Sequence, residues 1–334
     1  MSRPVIIVGN GVHLARAEEA VRDFCRASGC PILSTWTAAD IAPDLPLHIG
    51  HFGIFGDRAS NLVVQNASDL YVIGASLSIP QTGYNAEHFA RDAYVIHIDP
   101  SRLASVEPSD CTDWIARCIE WKARYGIDTE NREHADGYVN SFDFIREWSQ
   151  TLPEDAIVVT DMGTAFTCTF QAARIRYGQR WLTASGFAPM GYGLPGAIGA
   201  HYAYPDRPVW CVVGDGALQF NIAELQCIKG LPIRVIVIEN GGYLTMKHTQ
   251  QRNFNRLVGS CFDFSNIEAL AHAYGVGDQV EVVKIHPMQT LTPRIVSMQG
   301  DDGLISRPLE DMMPLLPREE LKAQMIVPMV KEPQ

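Results

Sequence analysis

Short, nearly unbroken apolar runs alternate along most of this chain with longer stretches of helical period, the pattern of buried strands separated by covering helices. Residues 4–8 (PVIIV) read as a strand, Gly9-Asn10-Gly11 as a turn and residues 15–27 as an amphipathic helix. Residues 31–35, 70–73 and 94–98 carry the strand signature again. Strands divided by helices predict a parallel, doubly wound sheet. Asp110 or Thr112 is placed to cap a helix reaching about residue 124, with Trp114, Ile115, Cys118 and Trp121 on one broad apolar face. The stretch 126–137 is polar and aperiodic, as expected of a linker between domains.

A second unit of the same kind follows. Residues 156–160, 181–184, 209–213 and 233–238 read as its strands, with helices near 165–174, 195–204 and 218–228 between them. Residues 280–285 predict one more strand, and the Pro- and Met-rich tail 309–330 an arm draped over the surface. The fold class expected is α/β, with two doubly wound parallel-sheet domains.

Composition narrows the class of function. The 334 residues suffice for two domains of ordinary size, and 46% hydrophobic against 19% charged residues is the balance of a soluble globular protein. Apolar runs such as 5–8 and 235–238 are too short to span a bilayer. Met1-Ser2-Arg3-Pro4 leads straight into a strand without a signal-peptide pattern, so a cytoplasmic location is expected. A net charge of −11 offers no basic excess for nucleic acid or an anionic membrane. The eight cysteines show no C-x-x-C or zinc spacing, and Cys211 and Cys227 are expected to be buried, reduced thiols.

Candidate chemistry gathers at Val212-Val213-Gly214-Asp215-Gly216-Ala217, a strand that ends in a Gly-Asp-Gly turn and leads into a helix. Another buried strand ends in Glu239-Asn240-Gly241-Gly242-Tyr243, placing Asn240 25 residues after Asp215. Two parallel strands thus deliver an Asp and an Asn to their carboxyl ends, where open α/β sheets bind ligands. Magnesium takes hard oxygen ligands, and the Asp215 carboxylate, the Asn240 amide oxygen and the Gly242 carbonyl supply three. The small Gly214 and Gly216 let backbone N–H groups approach a diphosphate at the start of the next helix.

This arrangement resembles the thiamine-diphosphate-dependent enzymes, in particular the acetolactate synthase large-subunit-like group, whose signature is Gly-Asp-Gly followed 25–30 residues later by Asn. Three further blocks carry the resemblance in family order. Thr160-Asp161-Met162-Gly163-Thr164-Ala165-Phe166 resembles the acidic, glycine-containing loop that opens the diphosphate-binding domain. Ser185-Gly186-Phe187-Ala188-Pro189-Met190-Gly191-Tyr192-Gly193-Leu194-Pro195 is similar to the S-G-x-x-x-M-G-x-G-L-P segment, and Asn221-Ile222-Ala223-Glu224-Leu225 to N-x-x-E-L. The resemblance implies that Asp215, Asn240 and Gly242 hold Mg2+. It also implies that Gly163, Thr164, Gly214 and the Gly216 and Ala217 amides meet the cofactor, and that Met190 props it into a V shape. That bend brings the cofactor's 4′-amino group to C2, where it takes the C2 proton; the carbanion chemistry is the cofactor's own.

The opening Arg3-Pro4-Val5-Ile6-Ile7-Val8-Gly9-Asn10-Gly11 resembles the start of the central domain of the same group, while Phe55-Gly56-Asp57-Arg58-Ala59 and Gln81-Thr82-Gly83-Tyr84-Asn85 resemble a subgroup often found with surface-polysaccharide genes. In acetolactate synthases this domain helps bind FAD. Here Gly9-x-Gly11 has Leu14 where a dinucleotide motif has a third glycine, so a structural domain is expected in preference to an FAD site. The implied organisation is a central Rossmann-like domain over 1–126, a linker and lead-in helix over 127–150, the thiamine diphosphate domain over 151–300 and an arm over 301–334.

The family's pyrimidine-binding domain, normally N-terminal, carries the glutamate that protonates N1′ of the cofactor. No such catalytic glutamate is found here, since Glu18 and Glu19 fall on a first-domain helix and are expected in solvent. An acid of this kind is typically worth roughly 10²–10⁴-fold in rate. The chain is also shorter than the family between 95–98 and 112–124, and between Tyr274-Gly275 and 280–284. A truncated gene, a faulty gene model and a split enzyme stay open. The leading expectation is a carboligase or decarboxylase (a transferase or lyase) acting on a 2-oxo acid such as pyruvate. It would work as a homo-oligomer or with a separate pyrimidine-domain chain. The alternative is a non-catalytic module that binds the cofactor's diphosphate or a partner subunit, or a gene remnant. A nicotinamide-dependent dehydrogenase, suggested by Gly9-x-Gly11, explains none of the second-half blocks.

Overall fold

The apolar run Pro4–Val8 is buried along its whole length, which requires cover on both faces and places it inside a sheet. A computed structural model describes residues 2–83, 86–103, 111–126, 134–262, 266–289, 320 and 323–326. The expectations for Tyr84, for Asp110 and for most of 126–137 and 309–330 lie outside these residues. The chain divides into two units, Met1–Asn131 with Pro293–Gln334, and Arg132–Thr292.

In the first unit β1 (Pro4–Val8), β2 (Ile32–Ser34), β3 (His48–His51), β4 (Asp69–Ile73) and β5 (Tyr94–Ile98) form a parallel sheet in the order β3-β2-β1-β4-β5. The helices are α1 (Gly11–Ala15), α2 (Glu18–Ser28), α3 (Arg58–Asn66), α4 (Ile79–Thr82) and α5 (Thr112–Tyr125). The single helix expected over 15–27 is two, because Arg16 turns left-handed (φ 53°) between α1 and α2. Glu18, expected in solvent, instead has Oε1 2.8 Å from His13 Nδ1. Strand β3 escaped the sequence reading because His48-Ile49-Gly50-His51 holds one large apolar residue. α5 begins after Cys111 with no side-chain cap, and buries Trp114, Cys118 and Trp121 as its apolar face predicts. Each buried indole removes roughly 150–250 Å² from water, on the order of 4–6 kcal/mol at 25 cal/mol/Å². The Trp114 N–H donates to the Pro4 carbonyl (3.1 Å) and the Trp121 N–H to Gln324 Oε1 (3.0 Å), so neither polar tip is stranded. Edge strand β5 leaves Tyr94 and Val95 exposed.

Ser34, which ends β2, has its Oγ 2.9 Å from Nε2 of His48, the first residue of β3, and 2.8 Å from Nδ1 of His51, its last. One hydroxyl has one proton, so two neutral imidazoles satisfy it with one ring accepting and the other donating. Burial, with the nearby His51 and Lys122 charges, holds His48 well below its ordinary value. Burial likewise holds His51 at about 4, against the Ser34 hydrogen bond and the Asp40 carboxylate that favour its cation. Below pH 6.5 the unfolded chain takes up protons that the folded chain refuses, so stability falls as pH drops from 6.5 towards 4. His51 alone accounts for at most about 3 kcal/mol of that loss. His51→Asn, whose amide mimics Nδ1, is expected to flatten the dependence by that amount in urea titrations across this range. An unchanged slope would refute the assignment.

In the second unit β6 (Ile157–Thr160), β7 (Arg180–Thr183), β8 (Val209–Gly214), β9 (Ile233–Glu239) and β10 (Val280–Lys284) form a parallel sheet in the order β10-β9-β8-β6-β7. Its helices are α6 (Ser141–Thr151), α7 (Thr164–Ala172), α8 (Gly193–Ala203), α9 (Asp215–Leu218), α10 (Leu244–Phe254) and α11 (Ile267–Ala273). The helix expected over 218–228 is instead a 3-10 stretch, Gln219–Ile228, with non-helical backbone at Asn221. Cys211 is buried as expected, whereas Cys227 is exposed: Leu225 and Ile228 carry the buried face of that stretch. Only a 3-10 turn, Gly277–Gln279, separates Tyr274-Gly275 from β10, matching the short connection read from the sequence.

Candidate metal and cofactor site

From β6 the chain passes to β7 on one side and then to β8 on the other, so the winding reverses between β6 and β8. Doubly wound sheets open a crevice at the carboxyl ends of the strands at such a point. Asp161 follows β6, Asp215 follows β8 and Asn240 follows β9. The sequence-predicted Asp and Asn are therefore delivered to one edge of one sheet.

Asp215 is fully buried and its carboxylate is held by main-chain amides. Oδ1 accepts from Gly216 N–H (2.7 Å), and Oδ2 from Asn240 (2.9 Å), Gly241 (2.7 Å) and Gly242 (3.3 Å) N–H groups. It forms no ion pair among the described residues. Burial pushes its carboxyl pKa up, and the four amides pull it back towards the anion. Asn240 is 4% exposed, and its side-chain Oδ1 is buried with no hydrogen-bond partner. A buried amide oxygen without a donor costs roughly 1–3 kcal/mol, so this atom has the capacity to accept from, or ligate, a group outside the described residues. Two hard oxygens at adjacent strand ends, one anionic and one orphaned, suit a hard divalent cation. The described residues hold no group of three or more His, Cys, Asp or Glu for a metal, so only a mixed carboxylate, amide and carbonyl set is on offer. Gly242 completes the loop at φ 133°, and a Cβ there would lie 2.1 Å from the Ser260 carbonyl oxygen.

Around these oxygens the chain is pared back. A Cβ on Gly163 or Gly214 would meet no atom within 4 Å, so both glycines face open space. Gly163 (φ 71°) precedes α7, whose first residue Thr164 is buried, and Asp215-Gly216-Ala217 opens α9. Gly216 answers to a different neighbour: its Cβ would lie 2.5 Å from the Tyr243 ring, and its N–H is engaged by Asp215.

Met190 stands 37% exposed on a loop that the sequence motifs brace. Asp161 Oδ1 accepts from Met162 (2.8 Å) and Gly191 (3.2 Å) N–H, and Oδ2 from Gly193 N–H (2.7 Å). Asn221 Nδ2 donates to the Gly191 carbonyl (2.7 Å). Asp161, Gly191, Gly193 and Asn221 thus act as one brace, and a Cβ at Gly191 would lie 2.8 Å from Asn221 Nδ2. Two residues escaped the sequence reading. Asp161 was matched only as part of a motif, without this bracing role, and the fully buried Lys247 was passed over in a polar helix. His248, Thr249 and Gln250, which follow the Asn240 loop, are tied to their own chain: His248 Nε2 lies 2.9 Å from the Gln289 carbonyl oxygen, Thr249 donates to Thr245 and Gln250 bonds Val258 and Ser260.

In the first unit, Gly9 N–H donates to Ile73 and Gly11 N–H to Gly74, and a Cβ on Gly9 would lie 2.4 Å from Ala75 Cα. Those two glycines serve the close approach of two backbone loops. No helix among the described residues is long and apolar enough to cross a membrane.

Comparison with known proteins identifies both domains. Residues 161–305 match the model for the thiamine pyrophosphate enzyme C-terminal TPP-binding domain, and residues 1–110 that for the thiamine pyrophosphate enzyme central domain. The acetolactate synthase isozyme 2 large subunit of Escherichia coli (strain K12) is 27% identical over 97% of this chain and 63% of its own length. The isozyme 1 large subunit of the same organism is 32% identical over 75% of this chain and 48% of its own. The acetolactate synthase large subunit of Lactococcus lactis subsp. lactis (strain IL1403) is 27% identical over 94% and 59%. The chain spans less than two-thirds of each of these relatives. With both domain models matched in family order, the chain belongs to the thiamine pyrophosphate enzymes, of which it carries the central and C-terminal TPP-binding domains.

Proposed function

We propose that the crevice of the second unit binds thiamine diphosphate through Mg2+, and that the chain serves an acetolactate-synthase-like carboligation or decarboxylation of a 2-oxo acid such as pyruvate. The observation that carries this reading is the buried Asn240 Oδ1, without a hydrogen-bond partner among the described residues, on the residue whose N–H is held by the buried Asp215 carboxylate. Asp215, Asn240 and the Gly242 carbonyl hold the metal; Gly163, Thr164, Gly214 and the amides of Gly216 and Ala217 lie against the diphosphate. Because Gly216 N–H is engaged by Asp215 in the described structure, its contact with a phosphate requires that bond to be shared or exchanged. When bound, the cofactor supplies the carbanion chemistry. The chain's own work is to bind and orient it. Met190, on the loop braced by Asp161 and Asn221, supports its bent form. The acid that acts on the aminopyrimidine ring comes, in this reading, from a pyrimidine-binding domain outside residues 1–334, on a second copy or another chain.

Titration calorimetry of the chain with thiamine diphosphate, with and without Mg2+, tests the reading. Magnesium-dependent binding is expected, and a folded chain without it overturns the assignment. Asn240→Leu, which deletes one oxygen ligand at similar volume, is expected to weaken that binding by at least tenfold, about 1.4 kcal/mol. Because it also removes an unsatisfied buried oxygen, its melting midpoint is expected to hold or rise. Affinity equal to that of the unaltered chain would remove Asn240 from the ligand set.

A further inference from the structure

Lys247 lies in the first turn of α10 with its side chain 1% exposed, a rare place for a lysine. Its Nζ donates to the main-chain carbonyl of Asn240 (2.8 Å) and to that of Pro287 (3.4 Å). These are its hydrogen-bond partners among the described residues, and it forms no ion pair there. The ammonium therefore joins the loop after β9 to the loop after β10, at the strand edge that carries the site. The Asn240 main chain is gripped on both sides of its Cα. Its N–H is held by the Asp215 carboxylate and its carbonyl by the Lys247 ammonium, which leaves Oδ1 as the polar atom without a partner.

We propose that Lys247 is the positioning residue of the metal-ligand loop, its ammonium turning the Asn240 carbonyl away from the site so that Asn240 Oδ1 is presented to the cation. The proposal rests on the metal reading given above. A buried ammonium is costly unless its donors are well used, and two carbonyls on separate loops use them for connection rather than for catalysis. The ammonium is also a positive charge on the loop whose Asn240 N–H is held by the Asp215 carboxylate. Two opposed effects then follow from deleting the charge. Loss of the tether frees the Asn240 peptide and weakens Mg2+ binding; loss of a positive charge near the site strengthens it. Positioning requires the first to dominate.

Lys247→Met, of similar length and without charge, separates them. Calorimetry on the full chain, titrating Mg2+ in the presence of thiamine diphosphate, is expected to show a Kd raised at least tenfold, with the melting midpoint of the metal-free chain within a few degrees of the original. Lys247→Arg, which restores donors and charge, is expected to recover most of the affinity. Unchanged or tighter Mg2+ binding by Lys247→Met overturns the proposal, as does a Kd that rises only in step with a large fall in melting midpoint. If Lys247→Met does not fold, Lys247→Gln takes its place. That variant keeps a donor and is expected to lose three- to tenfold, and equal affinity again overturns the proposal. Absence of Mg2+-dependent binding in the unaltered chain removes the reading of the site and this proposal with it. Binding that the unaltered and Met chains share removes the role of Lys247 alone.

Discussion

Asp215→Ala is expected to abolish Mg2+-dependent thiamine diphosphate binding while leaving the chain folded. The carboxylate is the one anionic group among the three proposed ligands, and Mg2+ gives up its water only for hard oxygen donors. Without it the cation would meet an amide oxygen and a carbonyl oxygen, with a buried ammonium a few residues away. A loss of at least about 10³ in affinity, roughly 4 kcal/mol, is expected. The same substitution strips an acceptor from four main-chain amides, so the melting midpoint falls by about 10 °C or more as well. The fold persists because the core beneath the site is built from β6, β8 and β9 residues such as Val159, Cys211, Val213 and Val235, all essentially buried. Calorimetry and circular dichroism on the same sample read both effects. Retained Mg2+-dependent binding in the variant would sink the metal assignment.

The second large effect is expected at Asp161, and there stability leads. Asp161→Ala leaves the Met162, Gly191 and Gly193 N–H groups without their acceptor at a fully buried position. At roughly 1–3 kcal/mol per stranded group the loss is on the order of 3–9 kcal/mol, which lowers the melting midpoint of a unit this size by about 10 °C or more. Burial pushes the Asp161 carboxyl up, and the three amides are what draw it back towards the anion, so the brace and the charge depend on each other. Cofactor affinity falls alongside, because the loop that carries Met190 is no longer held. Asp161→Asn, which keeps one acceptor oxygen, is expected to fall between the two. A midpoint shift below about 2 °C in the alanine variant would show that Gly191 and Gly193 are held by something other than this carboxylate.

Much of this architecture is legible in the sequence because buried parallel strands are written as uninterrupted apolar runs. Pro4–Val8 and residues 235–238 stand out for that reason, and so do the Asp215 and Asn240 that follow their strands. What escaped is instructive in physical terms. His48–His51 is a strand whose outer residues are imidazoles satisfied by a serine hydroxyl, and no hydropathy pattern encodes a hydrogen bond. α10 is polar on nearly every position, so its place against the sheet edge rests on Leu244 and Lys247 rather than on an apolar stripe. The break at Asn221 comes from a side chain drawn to the Gly191 carbonyl, a contact 30 residues away in sequence. Asp161 was visible as a motif residue, but its task depends on where residues 191 and 193 fold, which spacing does not state.

The hydrogen bond from the Trp121 indole to Gln324 spans 203 residues, and Asn66 accepts from the Ile326 N–H across 260. The first unit is therefore discontinuous in the chain, begun by its first 131 residues and finished by its last 42. A ribosome releases these pieces far apart in time, since the whole of the second unit is made between them. The second unit has all its strands out before the first has its closing segment, so the usual N-terminal-first order of folding during synthesis is reversed for the last contacts. Until residues 324–326 have been made, a nascent chain carries a first-unit sheet whose buried Trp121 lacks its partner, a form that the folded unit hides.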